Sequence, residues 1–83
     1  MFMKSVPVKL DEIYIPAKIR TTLDPAKVET IAESIIADGL KTPIQVRRDK
    51  ERYVLVTGLH RLEAVRLIGE TTIQALIVSA RLH

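Results

Sequence analysis

Hydrophobic and polar positions along the chain follow two periods, and the shorter one predicts strands. A period of two residues, or a run rich in β-branched residues, is typical of a strand. Four stretches have this character: residues 6–10, 43–47, 53–57 and 72–78. Pro7 places the first strand at a sheet edge. A charged turn over residues 48–52 joins the middle two strands into a hairpin, and the largely apolar third strand is expected to be central.

The longer period, close to 3.6 residues, predicts two helices. The first begins at Pro25, behind the capping residue Asp24, and ends at Gly39. Its expected buried stripe consists of Val28, Ile31, Ala32, Ile35 and Ile36. The second helix covers residues 59–68 and is closed by Gly69. Its expected inward residues are Leu62, Val65 and Ile68.

The elements combine into one predicted domain over residues 1–83. Residues 11–22 form a polar connection, broken by Pro16, between the first strand and the first helix. Strands and helices in this order predict an α+β fold, in which a small mixed sheet is covered by two helices.

Composition excludes several classes of protein. The 83 residues are 47% hydrophobic and 28% charged, which fits a folded protein rather than a disordered one. No apolar run approaches the ~18 residues of a membrane span, and no apolar segment follows the first residues as in a signal peptide. We therefore expect a cytoplasmic protein. The absence of cysteine excludes a disulfide scaffold, a zinc finger and any mechanism that needs a thiolate.

The formal net charge is +3, and the excess of basic residues falls in the second half of the chain. Four of these residues belong to the predicted hairpin: Arg47, Arg48, Lys50 and Arg52. Such a bias favours an anionic partner, and here the hairpin would contact DNA phosphates. A solvated hairpin rim explains the same charges equally well.

The junction between the third strand and the second helix, residues 56–61, has the features of a phosphate site. The first N–H groups of a helix have no partners within the helix, and the helix dipole makes that end partly positive. Gly58 permits close approach of a ligand to the backbone, Arg61 adds a forked cation, and His60 adds a donor. The alternative is an ordinary turn with a solvated Arg61.

A second group of polar residues lies on the first helix. Lys27, Thr30 and Ser34 are spaced i, i+3 and i+7, so they form one polar stripe beside the buried stripe. One cation and two hydroxyl groups in a line are suited to a ribose, a base edge or a phosphate. A solvated helix face explains the same pattern.

Two sets of residues resemble known families. The chain is similar to sulfiredoxin in residues 23–28, Thr30, Ser34, Ile35, Pro43, Ile44, residues 57–61 and Ala64. It is similar to the N-terminal domain of ParB partition proteins in residues 32–35, Gly39, residues 43–47, Gly58, Arg61, Ala64 and Gly69. Both families share the ParB/sulfiredoxin fold, and the resemblance covers roughly residues 6–78.

This resemblance implies nucleotide binding. In sulfiredoxin a Gly-Cys-His-Arg turn and the helix that follows hold the phosphates of ATP, a role that falls here on the turn Gly58-Leu59-His60-Arg61. A lysine and two hydroxyl residues of the preceding helix contact the nucleotide in sulfiredoxin. The matching residues here are Lys27, Thr30 and Ser34.

The resemblance fails at Leu59, which stands where sulfiredoxin has its catalytic cysteine. Leucine is not a nucleophile, so sulfinic acid reduction by that mechanism is excluded. The corresponding ParB turn, Gly-Glu-Arg-Arg, is not matched at Leu59 and His60 either. Partition proteins carry a helix-turn-helix domain and a dimerisation tail after this domain, whereas only Ser-Ala-Arg-Leu-His follows Val78. We therefore expect that the chain is not a complete partition protein.

The function expected from the resemblance is binding of ATP, ADP or CTP with Mg²⁺ by a regulatory or DNA-associated module. The alternative is an enzyme: a nucleotide-dependent phosphotransferase, an ATPase or a ParB-like nuclease. The candidate catalytic residues for this alternative are His60 and Glu12, and no protein ligands for a metal are expected. A homodimer and a larger protein partner are both left open.

Overall fold

The computed structural model describes residues 4–79, which form one mixed sheet with helices. The strands are β1 (Val6–Lys9), β2 (Ile13–Tyr14), β3 (Ile44–Asp49), β4 (Arg52–Thr57) and β5 (Thr72–Val78). The helices are α1 (Ala17–Arg20), α2 (Pro25–Asp38) and α3 (Leu59–Ile68), and a 3-10 turn covers Leu10–Glu12. The five strands lie in the order β1-β5-β3-β4-β2. The predicted α+β class and mixed sheet are confirmed.

The sheet contains one strand that the sequence pattern did not predict. Two residues of the expected polar connection, Ile13 and Tyr14, form β2 and pair in parallel with β4. Two residues are too short to show a period, so the pattern could not reveal this strand. The prediction that residues 53–57 form a central strand is confirmed, because β4 lies between β3 and β2, and β3 is the middle strand of the five. Pro7 is in the edge strand, as predicted.

The main core lies between the sheet and α3. Its buried members are Val8, Leu10, Ile13, Ile15, Ile44, Val46, Leu55, Leu59, Leu62, Val65, Ile73 and Ala75. A smaller cluster joins α3 to α2 and consists of Val28, Ala32 and Ala64 with the half-buried Ile31, Ile35 and Ile68. The fully buried Ala64 lets the two helices approach closely. The helices therefore form one layer, with α3 anchored to the sheet and α2 packed on α3.

Local signals define α2, but its buried stripe is narrower than predicted. The Asp24 Oδ1 accepts a hydrogen bond from the Ala26 N–H at 3.0 Å, and Gly39 ends the helix with φ +81°. Ile36 was expected to be buried, and this prediction is wrong because Ile36 is 71% exposed. The physical reason is that α2 packs chiefly on α3, which covers only part of its circumference. Within residues 4–79, no helix is long and apolar enough to cross a bilayer.

Candidate functional site

Gly58 brings the end of β4 against the start of β3 and begins α3. Its φ is +111°, in the left-handed region that favours glycine. A Cβ at this position would lie 2.6 Å from the Cγ2 and 2.9 Å from the Cβ of Ile44, which is fully buried. Glycine is therefore required here for its backbone conformation and for its lack of a side chain.

The first turn of α3 has three backbone N–H groups without an acceptor among the described residues. The Gly58 carbonyl accepts from the Leu62 N–H at 2.9 Å, which is the first hydrogen bond of the helix. Within residues 4–79, the N–H groups of Leu59, His60 and Arg61 have no hydrogen-bond acceptor, as expected at a helix start. The Leu59 side chain is 6% exposed and packs into the main core. Leu59 can therefore contribute its backbone N–H to a ligand, but not its side chain.

His60 connects the first turn of α3 to the start of α2. Its Nε2 accepts a hydrogen bond from the Asp24 N–H at 3.0 Å. With Nε2 as the acceptor, the neutral imidazole carries its proton on Nδ1, which leaves Nδ1–H as a donor. The same residue therefore has a structural role and one free donor for a ligand.

Replacing His60 with alanine is expected to lower the free energy of unfolding by about 0.5–1 kcal/mol, because the Asp24 N–H loses its acceptor. The loss is small since this N–H lies at the surface, where water replaces the imidazole. His60→Gln is the control, because its Oε1 can accept from the same N–H. Urea unfolding measures both variants, and equal losses would contradict a role for this hydrogen bond.

Arg61 holds the loop between α2 and β3. Its Nη1 donates to the Thr42 and Pro43 carbonyls, at 2.9 Å each. The side chain is half-buried, and no carboxylate among residues 4–79 pairs with it. The structure thus excludes a freely solvated Arg61. The guanidinium has five N–H groups in total, so donors beyond these two bonds are available to a ligand.

The stripe on α2 borders Arg61. Ser34 and Arg61 line one cleft of about 250 Å³, together with the loop residues Leu40, Lys41 and Thr42. Lys27 and Thr30 line a neighbouring depression of about 250 Å³, and Ile31 borders both. The Thr30 Oγ1 donates to the Ala26 carbonyl at 3.1 Å, so its lone pairs remain free as acceptors. The structure therefore places Ser34 of the stripe beside Arg61 of the turn, with Lys27 and Thr30 at the neighbouring depression. Gly58, Leu59 and His60 line neither.

Glu12 lies away from this surface. The parallel register pairs Ile13 with Tyr53, so Glu12 is beside the start of β4, whereas Gly58 follows the end of β4. The start of β4, beside Glu12, and Gly58 are separated by five residues of extended chain, or roughly 15 Å. The structure does not bring the two candidate catalytic residues, Glu12 and His60, together. Within residues 4–79 no group of three or more His, Asp or Glu side chains could hold a metal ion.

Three of the four hairpin cations, Arg47, Arg48 and Arg52, belong to the strands and are divided between the two faces of the sheet. Arg47 pairs with Val54 and Arg48 with Tyr53, so these neighbouring side chains point to opposite faces. The Arg48 guanidinium lies 5.0 Å from the ring centre of Tyr53, and that of Arg52 lies 4.2 Å from the ring centre of Tyr14.

Arg52 also pairs with Asp49 at 3.5 Å. Lys50 occupies the tip of the turn with φ +57°. The hairpin therefore does not present its four cations as one surface.

Sequence reasoning did not identify three sets of residues that contact or line the site. They are the Asp24 N–H that bonds His60, the Thr42 and Pro43 carbonyls that bond Arg61, and Leu40 and Lys41 of the loop that line the cleft. Backbone groups carry no signal in the residue types, so the first two were not detectable. The short loop between Gly39 and Pro43 was the one available signal.

Comparison with known proteins identifies relatives over the whole described chain. The ParB N-terminal domain family matches residues 3–82. The nucleoid occlusion protein of Halalkalibacterium halodurans is 38% identical over 58 residues, which are 70% of this chain and 20% of that protein. The chain thus spans about a fifth of the length of this curated relative.

Two solved structures share the fold. Sulfiredoxin from Arabidopsis thaliana has a TM-score of 0.82 and 32% identity, over 92% of this chain and 85% of that chain. The C-terminally truncated ParB from Caulobacter crescentus, complexed with CTP-γ-S, has a TM-score of 0.79 and 23% identity, over 93% of this chain and 45% of that chain. The second likeness shows the fold alone.

Proposed function

The chain belongs to the ParB N-terminal domain family, and from this premise we propose that it binds a nucleotide whose phosphates lie at the start of α3. The observation that carries the proposal is that the first turn of α3 combines backbone N–H groups that have no acceptor with the cationic side chain of Arg61. Among the described residues the N–H groups of Leu59, His60 and Arg61 have no acceptor, and Arg61, in the same turn, also lines the cleft with Ser34. Donors of this kind, added to the positive end of a helix dipole, are suited to phosphate oxygens.

Each group at the phosphate end has a defined part. Gly58 keeps the approach to the backbone free of a side chain, and the three N–H groups point outward from the helix start. Arg61 supplies a cation already held in place by the Thr42 and Pro43 carbonyls, so little side-chain entropy is lost on binding. The Nδ1–H of His60 supplies a further donor, because the Asp24 N–H occupies Nε2.

The nucleoside would lie along α2. Each of the two depressions is about 250 Å³, below the ~300–1,000 Å³ of pockets that enclose a whole ligand. A nucleotide would therefore extend across both, with Ser34 beside the phosphates and Thr30 and Lys27 further along. That the Caulobacter crescentus ParB of the same fold is complexed with CTP-γ-S supports nucleotide binding.

Mg²⁺ would be bound through the nucleotide rather than through the protein. The described residues offer no cluster of metal-binding side chains. Mg²⁺ keeps several water ligands and commonly takes its others from phosphate oxygens, which fits two depressions that no carboxylate lines. The ion would supply charge neutralisation between the phosphates.

We infer a regulatory role in preference to a catalytic one. The chain contains no cysteine, and Leu59 is buried at the position that matches the sulfiredoxin nucleophile. Glu12 lies at the opposite end of β4 from the phosphate turn, so of the two candidate catalytic residues only His60 adjoins that turn. Binding without turnover is the function that these residues support best.

A thermal-shift screen with ATP, ADP and CTP, each with Mg²⁺, tests the proposal. A ligand at about one hundred times its Kd stabilises the native state by ~2.7 kcal/mol, which corresponds to a rise in Tm of about 10 °C for a domain of this size. At least one of the three nucleotides is expected to produce such a rise. No rise with any of them at millimolar concentration would overturn the proposal.

Replacing Lys27 with alanine is expected to weaken nucleotide binding by about threefold to tenfold, because an exposed cation beside the cleft is lost. Stability without ligand is expected to stay within about 0.5 kcal/mol. Lys9→Ala is the matched control, since Lys9 is an exposed lysine on the edge strand β1. Isothermal titration measures both, and equal weakening would show that only overall charge matters.

A further inference from the structure

A second cavity lies on the other side of the loop between α2 and β3. We call it the β5 groove. Its volume is about 530 Å³, larger than either depression of the nucleotide site. It is lined by the last turns of α2 and α3, the loop residues Gly39 and Leu40, and the start of β5. Its apolar lining residues are Ile35, Ile36, Leu40, Val65, Ile68 and Ile73.

One side of the β5 groove is a strand edge without a strand partner. β1 pairs with β5 from Thr72 to Ala75, whereas β3 pairs with β5 only from Ala75 onward. On the β3 side, residues 72–74 therefore have no neighbouring strand among the described residues. The reason is that the chain preceding β3 is held elsewhere, because Arg61 bonds the Thr42 and Pro43 carbonyls.

This edge offers backbone hydrogen-bonding groups to a ligand. In an antiparallel pair, alternate residues direct their N–H and C=O groups away from the partner strand. Residues 72–74 pair with β1 on one side, so alternate backbone groups of this stretch point toward the position that β3 leaves open. Thr72, Ile73 and Gln74 all line the groove, so the edge is accessible. An extended peptide is the ligand that such an edge selects.

Ile36 and Glu70 define the side chains that the peptide would carry. Ile36 is 71% exposed at the wall of the groove, and the neighbouring wall residues are aliphatic, so a bulky apolar side chain would be buried here. Glu70 also lines the groove, beside the carboxyl ends of α2 and α3, which carry partial negative charge. A lysine or arginine of the ligand would complement this charge.

We propose that the β5 groove binds an extended segment of a partner protein, which adds to the edge of β5 at residues 72–74. The segment places an aliphatic side chain against Ile36 and a basic side chain near Glu70. This site is distinct from the nucleotide site, although Ile35, Gly39 and Leu40 border both cavities, and the proposal does not rest on nucleotide binding. The short edge, about 10 Å for three residues, limits the affinity to the micromolar range or weaker.

The test uses NMR titration of the protein with capped peptides of about six residues, in which isoleucine or valine alternates with lysine. Two matched probes accompany them. The first probe is a pair of peptides in which every second backbone nitrogen is methylated, at odd positions in one peptide and at even positions in the other. Methylation in the frame that faces β5 prevents pairing with the strand edge. In the second, glutamate replaces lysine, which tests the charge near Glu70.

Two protein variants complete the test. Ile36→Gln removes the exposed aliphatic side chain from the groove wall, and Leu67→Gln is the control because Leu67 is a 62% exposed apolar residue that does not line the groove. Glutamine favours helix about as well as leucine does, so both variants keep their helices. The expected result is about tenfold weaker binding for Ile36→Gln and unchanged binding for Leu67→Gln.

The lysine peptides are expected to shift the amides of Thr72, Ile73 and Gln74 and to protect those of Thr72 and Gln74. The Leu10 N–H bonds the Thr71 carbonyl on the β1 side, so by alternation Ile73 also faces β1 while Thr72 and Gln74 face the open edge. Methylation in one of the two frames should abolish binding, and the glutamate peptides should bind at least about fivefold more weakly. Several outcomes would overturn the proposal. They are no shift up to about 1 mM, undiminished binding of both methylated peptides, and shifts confined to the Leu59–Arg61 amides. Self-association that Ile36→Gln abolishes would also overturn it, by showing that a second copy of this chain occupies the groove.

Discussion

Gly58→Ala is expected to lower the free energy of unfolding by about 2–5 kcal/mol. The left-handed conformation costs a residue with a Cβ ~1–2 kcal/mol, and overpacking costs a further ~1–3 kcal/mol. The second cost arises because the new methyl group would meet Ile44 at 2.6 Å, and Ile44 is fully buried in the central strand. Unfolding in urea measures the loss of free energy. Thermal unfolding should show a fall in Tm of at least about 10 °C.

Gly69→Ala is the matched control for this change. Gly69 has φ +99°, close to that of Gly58, but a Cβ there would have nothing within 4 Å. Only the conformational cost of ~1–2 kcal/mol is expected at Gly69. The difference between the two variants measures the steric contact with Ile44. Equal losses would contradict the close approach of β4 to β3 on which the geometry of the phosphate site depends.

Arg61→Ala is expected to abolish the nucleotide-induced rise in Tm, with binding weakened by about a hundredfold. A charge-assisted hydrogen bond to a phosphate contributes ~1.5–3 kcal/mol, and its loss accounts for this factor. The same change should lower stability without ligand by about 1–2 kcal/mol, because the Thr42 and Pro43 carbonyls lose their donor. Isothermal titration measures the first effect and urea unfolding the second.

Two further variants separate these two roles of Arg61. Arg61→Lys keeps the charge but loses the forked guanidinium. It should bind nucleotide more tightly than Arg61→Ala, yet still be less stable than the unsubstituted protein, because a lysine cannot reproduce both hydrogen bonds to the loop carbonyls. Arg66→Ala removes an arginine from the same helix whose pairing with Glu63 is exposed, and both stability and binding should change little. If Arg61→Ala destabilises the fold while nucleotide binding stays intact, Arg61 has a structural role only.

The sequence predicts those parts of the fold that depend on local signals. The bounds of α3 and β5 follow from a regular period ended by Gly58, Gly69 and polar residues. The start of α2 follows from Asp24 and Pro25. The missed strand β2 is only two residues long and exists because β4 offers an edge to pair with. The exposure of Ile36 likewise depends on how much of α2 is covered by α3, which a helical period does not show.

The site was predictable in its residue types but not in its contacts. Helical spacing places Lys27, Thr30 and Ser34 on one face of α2, and the structure lines two adjoining depressions with them. The hydrogen bonds of His60 and Arg61 join segments 36 and 18–19 residues apart in the chain. Such contacts form only when the sheet brings these segments together, so the predicted free donors turned out to be partly used within the protein.

The loop after α2 is a partition between two cavities. Ile35, Gly39 and Leu40 border both the cleft of Ser34 and Arg61 and the β5 groove. If the loop after α2 moves so that one cavity becomes larger, the other becomes smaller. Occupants of the two sides are therefore thermodynamically linked whenever they favour different positions of the loop, and the linkage is reciprocal. The factor by which a peptide alters nucleotide affinity must equal the factor by which the nucleotide alters peptide affinity, so either titration alone reports the coupling.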